Sequence, residues 1–78
     1  MSSADGESQV RKIVSDIGKV GGDFPIQSDF YTDLGLDSFR MVEIFLEIEK
    51  KFAISISEDE YLTLRSLPQF LELLQRTR

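Results

Sequence analysis

"TDLGLDSFRMVEIFLEIEKKF", residues 32–52, decides the fold. It joins an apolar, glycine-broken loop to a run free of glycine and proline, and Asp37 and Ser38 stand at the join. From Ser38 to Phe52 the apolar residues recur every three or four positions, the spacing of one helix face. With Met41 at zero and ~100° per residue, Ile44, Phe45, Ile48 and Phe52 fall within roughly 60° of it, so these five form a core stripe. Phe39, Val42 and Leu46 come out at roughly 100–160°, with Glu43 and Glu47 beside them at roughly 200–240°. Two readings fit this second strip. It is a partner-docking surface edged by carboxylates, or it is the flank of a central helix that the preceding loop covers.

At the head of this helix Asp37 is placed as N-cap, its carboxylate accepting from the first free backbone amides, which makes Ser38 the first helical residue. The hydroxyl then sits at the positive end of the helix dipole. An anionic group esterified to that oxygen would be stabilised by the amides and the dipole, so the position suits a phosphodiester. No neighbour activates Ser38 as a nucleophile, because the chain has no histidine and a lone carboxylate is a poor base toward a hydroxyl. Any modification there is the work of another enzyme. A serine behind an aspartate at a helix start is also common for capping reasons alone.

Outward from this helix the chain reads as helical throughout. Val10, Ile13, Val14 and Ile17 have amphipathic helix spacing, with a stop expected at Gly21 or Gly22. The loop that follows is long yet apolar, with Phe24, Ile26, Phe30, Tyr31, Leu34 and Leu36, so it must lie against the core. Beyond the second helix, "AISIS" alternates like a strand but has no second strand to pair with, and is read as an extended connector. Ser57 with Glu60 forms a capping box for a short helix through Leu64. Ser66 with Gln69 repeats the device, and Leu67, Phe70, Leu71 and Leu74 supply the stripe of a last helix that tolerates Pro68 in its first turn. Residues 1–7 are polar and expected to be disordered.

Composition bounds the function. The 78 residues, 41% hydrophobic, close one small core, so residues 1–78 are read as a single domain. The absence of both cysteine and histidine removes the commonest general base, the best intrinsic nucleophile and the usual zinc ligands, which argues against an enzyme and against a bound metal. An EF-hand fails on spacing: the twelfth position is Ile44 counted from Asp33 and Arg40 counted from Asp29, where a bidentate glutamate is required. No apolar leader or membrane-length run is present, so a cytoplasmic protein without membrane insertion is expected. Residues 28–49 hold six acids and one base, which accounts for the whole net charge of −5. Such a surface repels nucleic acid and attracts protein partners with basic patches, or it simply solvates one side.

The whole run "DLGLDSFRMVEIFLEIEKKF" resembles the phosphopantetheine-attachment region of the acyl carrier protein family, with Leu34, Gly35, Leu36, Asp37, Ser38, Phe39 and Glu43 in the family's register. The likeness extends from about Phe30 to Leu74, and the segment from Val10 to Ile17 suits the family's first helix. It implies an all-α, up-and-down bundle of three major helices and one short third helix. It implies that Ser38 carries 4′-phosphopantetheine, transferred from coenzyme A by a phosphopantetheinyl transferase, and that the arm's thiol holds acyl groups as thioesters. Asp37 would assist that recognition. Phe39, Arg40, Val42, Glu43, Leu46 and Glu47 become the expected contacts with acyl-loading and acyl-processing enzymes of fatty acid, polyketide or related biosynthesis. A free-standing monomer is expected. Arg40 departs from the family pattern, where an acidic or small residue is usual, and with Phe39 it points to a dedicated set of partners. D-alanyl and other aminoacyl carriers, which often read "LDSF", are an alternative, as is a small helical interaction module without a prosthetic group. Phe30, Phe45, Ile48, Phe52, Ile54 and Leu71 would line space for an acyl chain or fill the core.

Overall fold

The computed structural model describes residues 3–76. Its helices are α1 (Ser3–Gly18), α2 (Ser38–Phe52), α3 (Glu58–Thr63) and α4 (Leu67–Arg76), three major and one short, as expected, and the described residues include no strand. α1 packs on both α2 and α4. Val10 and Val14 of α1, Met41, Ile44, Phe45 and Ile48 of α2, and Leu67, Phe70, Leu73 and Leu74 of α4 form the buried centre.

The residues that close this core are aromatic and come from the loop and from α2, α3 and α4. Phe24 meets Phe30 edge-on at 6.0 Å between ring centroids, Phe30 meets Phe70 at 5.5 Å, Phe70 meets Phe45 at 5.6 Å, and Phe45 stacks on Tyr61 at 4.7 Å. One continuous series of rings therefore ties the loop to α4, α2 and α3. Each such pair adds about 0.5–1.5 kcal/mol beyond the area it buries, which matters in a chain with no disulfide to brace it.

Three local expectations are corrected. α1 begins at Ser3, inside the stretch 1–7 that its polar composition marks for disorder. Gly6 lies where an added Cβ would stand 3.9 Å from Leu71 and Leu74, and Glu7 pairs with Arg11 one turn on at 2.9 Å; residues 1 and 2 lie outside the described residues. α1 ends before the expected glycines, because Lys19 takes the left-handed conformation (φ 59°) and returns its N–H to the Ser15 carbonyl. Val20 then packs against the core, the apolar contact that commonly follows such a stop. In α4, Leu73 rather than Leu71 completes the buried stripe, and in α2 Phe52 is only partly buried.

The connector after α2 is extended, as expected, and three of its backbone N–H groups are met by one residue, Glu49. Ala53 is left-handed (φ 55°), its N–H and that of Ile54 both donate to the Glu49 carbonyl, and the Ile56 N–H donates to the Glu49 carboxylate at 2.8 Å. α3 starts on the complete Ser57–Glu60 capping box. At α4 the Gln69 side chain reaches back to the amides of Arg65 and Ser66. Among the described residues no helix is long and apolar enough to cross a membrane.

Candidate functional site

Residues 19–37 carry the chain from α1 to the tip of α2, and two arginines hold them down. Arg11 donates to the carbonyls of Gly22 and Phe24 and lies 4.7 Å over the Phe24 ring. From the other side Arg65 grips Asp29 with two hydrogen bonds and lies 4.9 Å over the Tyr31 ring. Asp29 in turn accepts from the amides of Tyr31 and Thr32. The guanidinium, then those amides, hold the Asp29 carboxyl well below the usual carboxylate range, and the carboxylate keeps Arg65 more firmly charged. Phe30, between these contacts, donates its N–H to the Arg65 carbonyl at 2.7 Å. Sequence reading found none of these anchors, because Arg11, Asp29 and Arg65 share no helical period with their partners.

The turn into α2 follows from that fixed base. The Leu36 N–H donates to the Phe30 carbonyl, and Gly35 adopts φ 71°, a conformation that costs a residue with a Cβ about 1–2 kcal/mol. Leu36 is buried against the end of α1; a Cβ on Gly18 would stand 2.7 Å from one of its methyl carbons. Glycine at 18 lets the loop approach α1 closely, glycine at 35 lets it turn, and together they aim residue 37. Asp37 then caps α2 as expected: its backbone is extended and its carboxylate accepts the Arg40 N–H at 2.8 Å.

Ser38 is the first residue of α2 and is exposed. It borders a groove of about 420 Å³ between α2 and α3, lined by Tyr31, Met41, Val42, Phe45, Tyr61, Leu62 and Arg65. The floor is apolar and the rim carries two tyrosines and the arginine. The Tyr61 hydroxyl donates to Glu49 at 3.3 Å, and burial, reinforced by that carboxylate, pushes its pKa up. Of the residues expected to line space for an acyl chain, Phe45 alone borders this groove. Phe30 and Ile48 are fully buried in the core, and Phe52, Ile54 and Leu71 pack against it. The α3 residues were not legible because α3 has no buried residue and hence no apolar period.

The second strip of α2 faces solvent. Phe39 is 69% exposed, Leu46 54% and Val42 42%, so the loop does not cover it. Glu43 and Glu47 flank it, half-exposed, with Arg40 3.3 Å from Glu43 and Lys50 3.9 Å from Glu47. Surface pairs of this kind hold about 0–1 kcal/mol and exchange readily for a partner's charges.

These residues fit a covalent phosphate-bearing arm. The Ser38 hydroxyl lies at the amino end of α2 with nothing packed over it, where free amides and the dipole favour negative charge. The groove beside it gives an arm somewhere to lie.

Known sequences agree with this geometry. Residues 8–74 match the family described as phosphopantetheine attachment site. The chain is 34% identical over 70 residues to the acyl carrier protein of Chlamydia trachomatis, covering 88% of this chain and 91% of that one. It is 40% identical over 62 residues to the acyl carrier protein of Rickettsia bellii, covering 77% and 72%. Against acyl carrier protein 2 of Pseudomonas aeruginosa it is 31% identical over 70 residues, covering 88% and 89%.

Proposed function

The chain belongs to the acyl carrier protein family, and from that membership we propose that Ser38 is the residue to which its 4′-phosphopantetheine is joined. The protein is a carrier and not an enzyme, and its prosthetic group is covalent. When bound, that group supplies a terminal thiol on which acyl groups are held as thioesters.

The chain's own residues account for the rest. Asp37 fixes the first turn of α2 and so the position of the Ser38 oxygen. The Gly35 turn and the Asp29–Arg65 anchor set the approach angle. The exposed apolar residues Phe39, Val42 and Leu46 offer area to modifying and acyl-processing enzymes, and Glu43 and Glu47 select basic docking patches. Arg40 interrupts that acidic edge and penalises partners that expect an acid there. In this reading a phosphopantetheinyl transferase loads Ser38 from coenzyme A, the chain is one cytoplasmic carrier domain, and its cargo belongs to fatty acid, polyketide or related biosynthesis. The relatives are acyl carriers, which favours acyl cargo over aminoacyl cargo and over a docking module without a prosthetic group.

The observation that carries the proposal is an exposed serine at a capped helix start beside a groove. Co-expression with a broad-specificity phosphopantetheinyl transferase followed by intact mass measurement tests it. A gain of one phosphopantetheine, lost in a folded Ser38→Ala variant, is expected. No gain with several transferases, or a gain that survives in Ser38→Ala, overturns it.

A further inference from the structure

Among the residues that line the groove beside Ser38, Arg65 alone carries a formal charge. It is held from several sides. Asp29 takes hydrogen bonds from Nε at 2.8 Å and from Nη2 at 3.2 Å, and the Tyr31 ring lies 4.9 Å beneath the guanidinium carbon. The backbone of the same residue is fixed too, its carbonyl accepting the Phe30 N–H at 2.7 Å and its own N–H donating to the Gln69 side chain at 2.7 Å. Nη1 makes no hydrogen bond among the described residues, and the side chain is half-exposed. A charged donor is thus kept in place at the edge of the groove with one of its nitrogens unused.

We infer that Arg65 is a positioning residue for the arm: its Nη1 donates to the phosphodiester formed on Ser38, so that one guanidinium joins that phosphate to Asp29. The inference rests on the reading of Ser38 as the attachment residue. A phosphodiester there is an anion bonded directly to the Ser38 oxygen, at the border of the groove that Arg65 also borders. The guanidinium fork presents donors on more than one edge and can hold an oxyanion on each. Because Asp29 and Tyr31 already order it, Arg65 loses little further freedom in taking a second anion. The other candidate donors are otherwise engaged. Arg40, closer in sequence, stands roughly 200° around α2 from Ser38, pairs with Glu43 at 3.3 Å and does not line the groove. The Tyr61 hydroxyl donates to Glu49. Asp29 then has two effects, fixing the loop before α2 and presenting Arg65 to the phosphate. Loading ties the tip of α2 to the segment before α4, and the first part of the arm is directed toward α3.

The test compares apo- and holo-protein by NMR, and intact mass of the same samples reports whether Ser38 carries the arm. On loading, the Arg65 side-chain signals are expected to shift, by an amount that shrinks as salt rises from about 0.05 to 0.5 M. A nuclear Overhauser contact between the Arg65 side chain and the arm's methylene next to the phosphate is expected with it. Two variants separate this contact from the structural effect of the anchor, since Arg65→Gln and Asp29→Asn break the same ion pair but only the first removes the guanidinium. Arg65→Gln is expected to lower the ratio of docked to free arm about tenfold, read from the phosphorus signal and from the holo-minus-apo shifts at Val42 and Tyr61. Asp29→Asn and Arg40→Gln each change that ratio less than about twofold. Unchanged Arg65 signals on loading, equal losses from Arg65→Gln and Asp29→Asn, or a larger loss from Arg40→Gln overturn the inference, while a mass gain at Ser38 leaves the carrier reading standing. A chain that gains no mass with any transferase removes both.

Discussion

Arg65 grips Asp29 across 36 residues of sequence, with Nε 2.8 Å from one carboxylate oxygen and Nη2 3.2 Å from the other. It joins the segment before α4 to the loop before α2, and the loop's own amides close on the same carboxylate. The site is therefore aimed from a distance: residue 65 fixes residue 29, the turn from there fixes Gly35 and Asp37, and Asp37 fixes the helix tip that presents Ser38.

That relationship predicts a pH dependence. The Asp29 carboxyl is depressed chiefly by Arg65, so its contribution to stability is complete above the unfolded-state value, about 4, and is lost as pH falls through the lower folded value. In Arg65→Ala the depression shrinks and so does the contribution. Melting temperatures of the two proteins should differ most near about pH 7, and the gap should narrow as pH drops below about 4. A gap that stays constant down to about pH 2.5 would show that Arg65 acts through packing alone, by covering Tyr31.

Much of this was legible in the sequence, and the remainder has identifiable causes. α2, its cap and the four buried positions of its stripe are local features: the period of Met41, Ile44, Phe45 and Ile48, and Asp37 before Ser38, can be read without knowing what packs where. The capping box of α3 is equally local. Where the reading departed from the structure, a tertiary contact made the choice. Whether the strip of Phe39, Val42 and Leu46 was covered could not be decided from α2 alone, since it depends on where the Arg11 and Arg65 anchors take the loop. Leu71 and Leu73 both suit a helical stripe, and the helix period alone does not determine which of them is buried. α1 and α2 stop at Lys19 and Ala53, neither a residue that favours the left-handed conformation, because Val20 and Ile54 behind them are drawn onto the core.

α3 stands mainly on its cap. It contains no buried residue, and Ser57 Oγ accepts the Glu60 N–H while the Glu60 carboxylate reaches back to the Ser57 N–H and also meets Arg76. Ser57→Ala should cost about 1 kcal/mol, which lowers the melting temperature by about 4–8 °C in a chain of this size. Hydrogen exchange should quicken first at residues 60–64. Because Tyr61 and Leu62 form one wall of the Ser38 groove, that wall should loosen before the core does. Uniform acceleration across α1, α2 and α4 would instead mean that α3 unfolds only with the whole bundle.

Two left-handed residues on either side of α2 should respond to exchange in opposite directions. Gly35 (φ 71°) has no atom within 4 Å of where a Cβ would stand, so Gly35→Ala adds no clash and reports the backbone alone. The left-handed penalty of about 1–2 kcal/mol, less about 0.4–1 kcal/mol from a stiffer unfolded chain, leaves a loss near about 1 kcal/mol. Ala53 (φ 55°) already bears that penalty at the end of α2, so Ala53→Gly should raise stability by a similar amount, read as a higher urea midpoint with an unchanged slope. The two changes differ in consequence because of what each turn supports. Ala53 only ends a helix, so its replacement should leave Ser38 modification unaltered, whereas Gly35 sets the direction of Asp37 and the helix tip. Gly35→Ala should therefore slow transferase loading of Ser38 at temperatures where the variant is still fully folded. Loading at the original rate would mean that the Asp37 cap finds its geometry independently of the turn before it, and that the glycine of the motif serves stability alone.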